Sequence, residues 1–162
     1  MVHQTNKKIT VHAKMIENYS QLANRILDYA IKQENIHQCG EGDIYEINND
    51  PNVEFPIFWM SSTQPVQELG NYWVYNLTFY YVDRLLIDSP REYSTNSINI
   101  SSAGISILSN IIHTIKQDDD IYKIDSGISY STFNDTQVFA DHCAGVFCNV
   151  SITVPKYKNC VS

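Results

Sequence analysis

The feature of this sequence that most constrains its fold is residues 71–87, which read NYWVYNLTFYYVDRLLI. The stretch contains neither Gly nor Pro and is rich in the aromatic and β-branched residues that suit a pleated, half-buried surface. Because successive side chains of a strand point to opposite faces, one face would carry Trp73, Tyr75, Leu77, Phe79 and Tyr81. The other face would carry Tyr72, Val74, Asn76, Thr78 and Tyr80. The alternation predicts a long strand with one core face and one mixed, aromatic face.

Two helices are predicted by apolar residues that recur at steps of three and four, in residues 14–37 and 94–116. Gly40 follows the first helix and would end it. Ser94 is the predicted N-cap of the second helix. Gly104 inside that helix costs about 1 kcal/mol relative to Ala, so it predicts either close packing against a neighbouring element or a break in the helix.

Further strands are predicted where β-rich segments lie between turn signals: residues 43–47, 55–61, 122–133 and 142–155. Residues 122–133 would form either one strand or a hairpin bent at Gly127. Strands joined by turns and loops favour antiparallel pairing, with both helices on the apolar face of the sheet. The predicted fold class is therefore α+β, with an antiparallel sheet of four to six strands and two main helices packed on one face. The predicted organisation is an N-terminal arm (1–13), a single α+β domain (14–155) and a C-terminal tail (156–162).

The charge of the chain argues against a nucleic-acid-binding surface. The 162 residues carry a formal net charge of -7, and no basic patch with interleaved aromatic residues occurs. The N-terminus has no apolar core of signal-peptide length, and no run approaches the roughly 20 apolar residues of a membrane span. We therefore expect a protein kept in a cytoplasm-like compartment or carried inside a particle, with no membrane partner.

The chemistry-bearing residues do not form a recognisable catalytic or metal-binding pattern. The cysteines, predicted to be free thiols, are Cys39, Cys143, Cys148 and Cys160. Cys143 and Cys148 are five residues apart on a predicted strand, so they would face opposite ways and could not share a zinc ion. The acidic run 118–120 lacks the spacing of a calcium loop and is predicted to be a solvated turn. We expect no catalytic residue, no metal and no cofactor, and not an enzyme.

The second face of the long strand is the candidate functional surface. Aromatic side chains with polar tips are enriched where proteins meet. The candidate subunit-interface residues are Tyr72, Val74, Asn76, Thr78 and Tyr80. One alternative is that a loop or arm of the same chain covers this face. Another is a small ligand- or peptide-binding module that uses this face or a groove beside Trp59 and Trp73. A third is a cryptic hydrolase that uses a histidine among His37, His113 and His142.

The order of the elements resembles a known family. The N-terminal helix is followed by DIYEI, FPIFWM, YWVYNLTFYYVDRLL, the helical SILSNIIHTI and a final VFCNVSITVP. This order resembles the tail completion and tail terminator proteins of tailed bacteriophages. The richness in Ile, Asn and Tyr is also similar to small head-to-tail ring proteins of crAss-like phages of gut bacteria. The resemblance covers residues 14–155 and lies in the pattern of elements, not in a catalytic motif.

The resemblance implies a structural virion protein at the head–tail junction. Its protomers would form a six- or twelve-fold ring that joins portal or neck to tail, and DNA would pass through the lumen without specific binding. An acidic surface suits such a lumen because like charges discourage sticking. The resemblance also implies assembly in the host cytoplasm and no enzymatic activity, and it assigns no role to single residues.

Overall fold

The computed structural model describes residue 16 and residues 18–62, 66–85, 90–121, 123–135 and 142–156, with the backbone alone at 90–95 and 135. The predicted arm at 1–13 and residues 157–162 of the predicted tail lie outside these residues. The helices are α1 (Tyr19–Ile31), a 3-10 helix (Ile44–Asn49) and α2 (Pro90–Lys116). The strands are β1 (Gln38–Glu41), β2 (Ile57–Ser62), β3 (Gln67–Leu69), β4 (Tyr72–Arg84), β5 (Lys123–Ile124), β6 (Tyr130–Asp135) and β7 (Cys143–Pro155).

In the part of the chain that the structure describes, these strands form one sheet of seven strands. The main order is β1-β2-β4-β7-β5, with β3 beside β4 and β6 beside β7. β1 and β2 run parallel, and the other pairs are antiparallel. The predicted α+β class is confirmed. The predicted count of four to six strands is too low, and a wholly antiparallel sheet is wrong.

The two longest strands, β4 and β7, form the centre of the sheet. Each has 13 residues, and they pair from Tyr72 opposite Pro155 to Arg84 opposite Cys143. The predicted core face of β4 is confirmed: its Tyr75, Leu77, Phe79 and Tyr81 are buried in the main core. That core also contains Leu22 and Ile26 of α1 and Leu108 and Ile111 of α2, so both helices cover the same face of the sheet.

The helix α1 begins where a side chain caps it and ends earlier than its sequence predicts. The Asn18 side chain accepts a hydrogen bond from the Gln21 N–H. The helix ends at Ile31 and not near residue 37, because the chain then turns to form β1. The His37 N–H donates to the Pro56 carbonyl at 2.9 Å, next to the parallel pairing of β1 with β2. Gly40 therefore lies in a strand and does not end the helix.

Two local predictions fail for reasons that the structure shows. Residues 43–47 were predicted to be a strand, but the chain forms the 3-10 helix there because the Asp43 carboxylate accepts from the Tyr45 N–H. The helix α2 begins at Pro90, before the predicted cap Ser94, and proline suits a first helical turn because it lacks the N–H that would be unpaired there.

The acidic run after α2 is not a solvated turn. Arg25 of α1 donates to both oxygens of Asp118, at 3.0 and 3.1 Å, and to Asp120 at 2.8 Å. The Tyr29 hydroxyl donates to Asp118 at 2.7 Å, and the Asp118 side chain is only 7% exposed. Burial raises the pKa of Asp118, but the hydrogen bond from the Asp120 backbone N–H, those from Tyr29 and Arg25, and the Arg25 charge outweigh burial and lower the pKa below its ordinary value. This cluster joins α1 to the end of α2.

Candidate interface on the helix-free sheet face

The five candidate interface residues lie together on the sheet face opposite α1 and α2, which we call the helix-free face. They pair across the β4–β7 ladder with Pro155, Thr153, Ser151, Asn149 and Phe147 in turn. On the β2 side, Trp59 pairs with Tyr80 and Ser61 with Thr78. The helix-free face is therefore defined by Tyr72, Val74, Asn76, Thr78 and Tyr80 of β4, Trp59 and Ser61 of β2, and the five β7 residues. All of these side chains are uncharged.

One end of the helix-free face is a row of aromatic rings. The Tyr80 ring lies 6.0 Å from the Phe147 ring, which lies 6.4 Å from the Phe133 ring of β6. The Trp59 indole N–H donates to the Gly42 carbonyl at 3.2 Å. A Cβ built on Gly40 would lie only 2.0 Å from the Trp59 ring, so the absence of a side chain at Gly40 gives that ring its place. These contacts hold the aromatic rings of the row in fixed positions relative to one another.

The middle of the helix-free face is polar and ordered by a side-chain hydrogen bond. The Thr78 hydroxyl donates to the Asn149 side-chain oxygen at 2.7 Å. Thr78 is 3% exposed, whereas Asn149 is exposed and Asn76 is half-buried. Towards the other end, Val74 and Tyr72 are half-buried. The structure thus gives Thr78 and Tyr80 partners within the chain and leaves a polar and aromatic surface accessible beside them.

Among the described residues, a segment of the same chain covers the far end of this sheet face. Ile47 of the 3-10 helix packs in a second apolar cluster with Ile57, Val82 and Cys143. Val53 and Phe55 add to that cluster from the loop before β2. The alternative that the chain covers its own second face therefore holds beyond Tyr80, at the Ile57 and Val82 end.

The predicted groove beside both tryptophans is not formed, because the two side chains lie on opposite faces of the sheet. Trp59 packs with the second apolar cluster, whereas Trp73 packs against the main core. A cavity of about 220 Å³ does lie beside Trp59, between β1 and the 3-10 helix. Its lining includes Gly40, Glu41, Ile47 and Asp50.

A larger cleft of about 540 Å³ opens near the C-terminal end of β4. Its lining is mixed in charge: His37, Val53, Glu54, Phe55, Asp83, Arg84 and Asn96. The Arg84 guanidinium lies 5.2 Å from the centre of the Phe55 ring. Burial raises the pKa of the Asp83 carboxyl, although its hydrogen bond from the Arg84 N–H and the charges of His37 and Arg84 oppose this. The cleft combines acidic, basic and aromatic groups in one place.

The three histidines considered for a hydrolase lie on different elements. His37 lines the cleft before β1, His113 is exposed near the end of α2, and His142 is exposed before β7. Cys143 and Cys148 point to opposite faces of β7, as the sequence predicts, and no disulfide joins either of them to Cys39. Among the described residues, no three His, Cys, Asp or Glu side chains lie close enough to hold a metal ion together.

The described part of the chain contains one helical segment that could cross a membrane by length and composition alone. This segment is Asn96–Lys116, with 21 residues and a mean hydropathy of 1.3. Six of its isoleucine and leucine side chains are buried in the main core with the sheet, and this packing accounts for their apolar character: Ile100, Ile107, Leu108, Ile111, Ile112 and Ile115. Comparisons with protein-family models and with curated protein sequences find no match to this chain.

Proposed function

We propose that this protein is a structural virion protein that forms an oligomeric ring, of six or twelve copies, at the head–tail junction of a tailed bacteriophage. The observation that carries the proposal is the helix-free face, whose residues on the three central strands β2, β4 and β7 are uncharged and include a row of aromatic rings. The tail terminator-like fold belongs to the same proposal. The ring would join portal or neck proteins to the tail and leave a channel for DNA.

The composition of the helix-free face supports burial against another protein. Interface cores are depleted in charged residues and enriched in aromatic residues, and their energy concentrates in a few well-packed aromatic side chains. Trp59 and Tyr80 are such side chains, and both are half-buried. Because the part of β4 on the helix-free face runs from Tyr72 to Tyr80, at about 3.4 Å per residue it offers a face roughly 30 Å long for a neighbouring subunit.

The geometry of the domain supports a ring over a symmetric pair through this face. The helix-free face is unlike the edges of the sheet, where β1 and β5 lie, so an edge of one copy can meet the helix-free face of the next. A contact between unlike surfaces repeats from copy to copy and closes into a ring when the rotation permits. The net charge of -7 suits a channel through which DNA slides without being held.

Asn76→Arg tests this proposal, because it places a charge in the middle of the helix-free face without removing an aromatic contact. The matched control is Asn24→Arg, at an exposed position on α1. Native mass spectrometry and negative-stain imaging should show rings for the parent protein and for Asn24→Arg, and smaller species for Asn76→Arg. Peptide mass spectrometry of purified phage particles should detect the protein. Absence from particles, together with a parent protein that stays monomeric alone and with its portal or tail neighbours, would refute the proposal.

The mixed-charge cleft favours a second candidate function, a module that binds a small polar ligand. Pockets for such ligands combine an apolar wall with a few placed polar groups, and here Phe55 lies beside Arg84 and Asp83. Screening a library of amino acids and short peptides by thermal shift tests this candidate. A saturable shift that is lost in Arg84→Gln would favour it, and no shift with any compound would count against it.

A further inference from the structure

The outer surface of α2 carries a stripe of alternating isoleucine and serine side chains that does not face the sheet. Ile98 is 66% exposed and Ile105 is 39% exposed. Ser102 and Ser109 are also exposed and complete the stripe. The four positions follow the spacing of four, three and four residues, so they fall on one line along the helix. We call Ile98, Ser102, Ile105 and Ser109 the α2 stripe.

The helical segment that carries the α2 stripe contains no charged residue. From Asn96 to Ile115 the sequence has no Asp, Glu, Lys or Arg. An exposed helix face of a soluble protein ordinarily carries charged residues, and exposed apolar patches with polar borders mark interaction sites. At about 1.5 Å per residue the stripe is roughly 16 Å long. This is enough for two or three turns of another helix to lie against it.

We propose that the α2 stripes of two copies of this protein pack against each other, antiparallel, around a two-fold axis. The occupant of the stripe is therefore a second copy. The inference goes beyond the proposed ring, because it uses the side of the domain opposite the helix-free face and holds whether or not rings form.

The order of large and small side chains along the α2 stripe favours a second copy of the protein as its partner. Along the stripe the residues alternate as Ile, Ser, Ile, Ser. In an antiparallel pair centred between Ala103 and Gly104, Ile98 of one copy meets Ser109 of the other. In the same register Ile105 meets Ser102. Every large side chain then faces a small one on the partner helix, which is the alternation that lets two packed layers interdigitate.

A parallel pair in register would instead oppose Ile to Ile and Ser to Ser, and so would leave gaps beside each serine. The antiparallel pair is also isologous, meaning that the same patch is used on both copies, as two-fold interfaces require. The absence of charge matters here too: no like charges oppose each other within the stripe, and no ion must lose its water. The stripe is thus complementary to itself in the order of large and small side chains, and it presents no charge to a second copy.

The contact is small compared with the roughly 1,200 Å² or more that a stable interface buries in total. We therefore expect free subunits to pair weakly and to separate on dilution. The same contact becomes effective when many copies are already held together, because the second contact is then intramolecular.

Cysteine cross-linking tests the antiparallel register. Ile98→Cys and Ser109→Cys are prepared separately, one with a size tag, and oxidised mildly either alone or as a mixture. In the proposed register, position 98 lies opposite position 109, whereas two copies of position 98 are roughly 16 Å apart along the axis. Because Cα atoms more than about 7 Å apart cannot be bridged, the mixture should give at least about tenfold more cross-linked dimer than either variant alone. The parent protein, with its natural cysteines, is the background control.

Two cross-linking results would overturn the proposal. Efficient dimers of Ile98→Cys alone would show a parallel pair, and no cross-link above the parent background at high protein concentration would show that another occupant or none covers the stripe.

A second measurement separates loss of pairing from loss of folding. Ile98→Ser/Ile105→Ser removes the large side chains of the stripe, and Ile31→Ser removes an isoleucine that is 46% exposed at the end of α1. Sedimentation velocity should show self-association weakened by at least about tenfold in the double variant and unchanged in Ile31→Ser. Both variants should keep the parent circular dichroism spectrum. Unchanged self-association in a folded double variant would refute the proposal. Because the helix-free face is intact in both variants, any ring formation should be the same in both, and the difference between them reports the stripe.

Discussion

Gly104 of α2 lies directly against the Tyr81 side chain of β4. A Cβ built on Gly104 would come within 2.7 Å of Tyr81 Cδ1 and within 2.8 Å of Val146 Cγ2 on β7. Both contacts are shorter than real Cβ atoms show, so the missing side chain allows the helix to rest on the two central strands. Of the two explanations that the sequence leaves open for a glycine inside this helix, close packing is confirmed.

Gly104→Ala should therefore destabilise the protein although alanine is the better helix former. The gain in helix propensity is about 1 kcal/mol. Overpacking of a well-filled core costs typically 1–3 kcal/mol, and neither Tyr81 nor the β-branched Val146 can move aside easily. We expect a net loss of about 1 kcal/mol in the free energy of unfolding, measured by urea denaturation. Ser106→Ala, at an exposed position of α2, is the control and should be neutral or slightly stabilising. A gain in stability for Gly104→Ala would show that the helix does not lie so close.

Asp118→Asn should destabilise the protein at neutral pH and not in acid. Removing the carboxylate charge takes away the ion pair with Arg25 and weakens the hydrogen bond from Tyr29. Hydrogen bonds to charged groups contribute about 1.5–3 kcal/mol, so a loss of about 2 kcal/mol is expected at pH 7. Because the pKa of Asp118 is lowered by folding, its contribution is present above the ordinary value near 3.9 and is lost as the pH falls through the folded value.

Urea denaturation at pH 7 and pH 3 checks this dependence. The difference between Asp118→Asn and the parent protein should shrink as the solution becomes acidic. The control is Asp119→Asn, which changes an exposed neighbour and should have no effect at either pH. A difference of equal size at both pH values would mean that the charge of Asp118 is not what stabilises the turn.

How much of the structure the sequence predicts depends on whether the information is local. The alternation in β4 and β7 is local and strong, so both strands and their two faces are predicted correctly. The strand β1 is only four residues long and carries Gly40, and it exists because β2 lies beside it and the Trp59 ring needs space. No local pattern indicates that pairing.

In the candidate site, too, some features follow from the local sequence and others from pairing with distant residues. The shared face of Tyr72 to Tyr80 follows from a period of two residues, but the cross-strand neighbours of that face do not. Phe147 and Trp59 join the surface because β7 and β2 take the two places beside β4. The Arg25–Asp118 pair spans 93 residues, and a run of three aspartates ordinarily indicates solvent. Tertiary pairing over that distance overrides the local signal.

Cys39 should react slowly with alkylating reagents although it lies on a short strand at the edge of the sheet. Burial raises the pKa of this thiol to about 12. Only the thiolate reacts, so compared with an ordinary thiol its reactive fraction near pH 8 falls by about a thousandfold. Peptide mapping after brief iodoacetamide treatment should show modification of Cys39 in urea-unfolded protein and very little in folded protein. Rapid labelling of Cys39 in the folded protein would show that β1 opens readily.

Gly40→Ala should disturb the aromatic row and with it the proposed subunit contact. A Cβ at this position would lie 2.0 Å from the Trp59 ring, so the ring must swing away from β1 and towards Tyr80. We expect a shift in tryptophan fluorescence to longer wavelength, since the displaced indole becomes more exposed. The control is Gly127→Ala, because a Cβ there meets no atom within 4 Å. In the folded Gly40→Ala protein, ring formation measured by native mass spectrometry should fall relative to Gly127→Ala. Full ring formation with a displaced Trp59 would mean that the aromatic row is outside the contact, and the interface would then have to lie nearer Tyr72 and Val74.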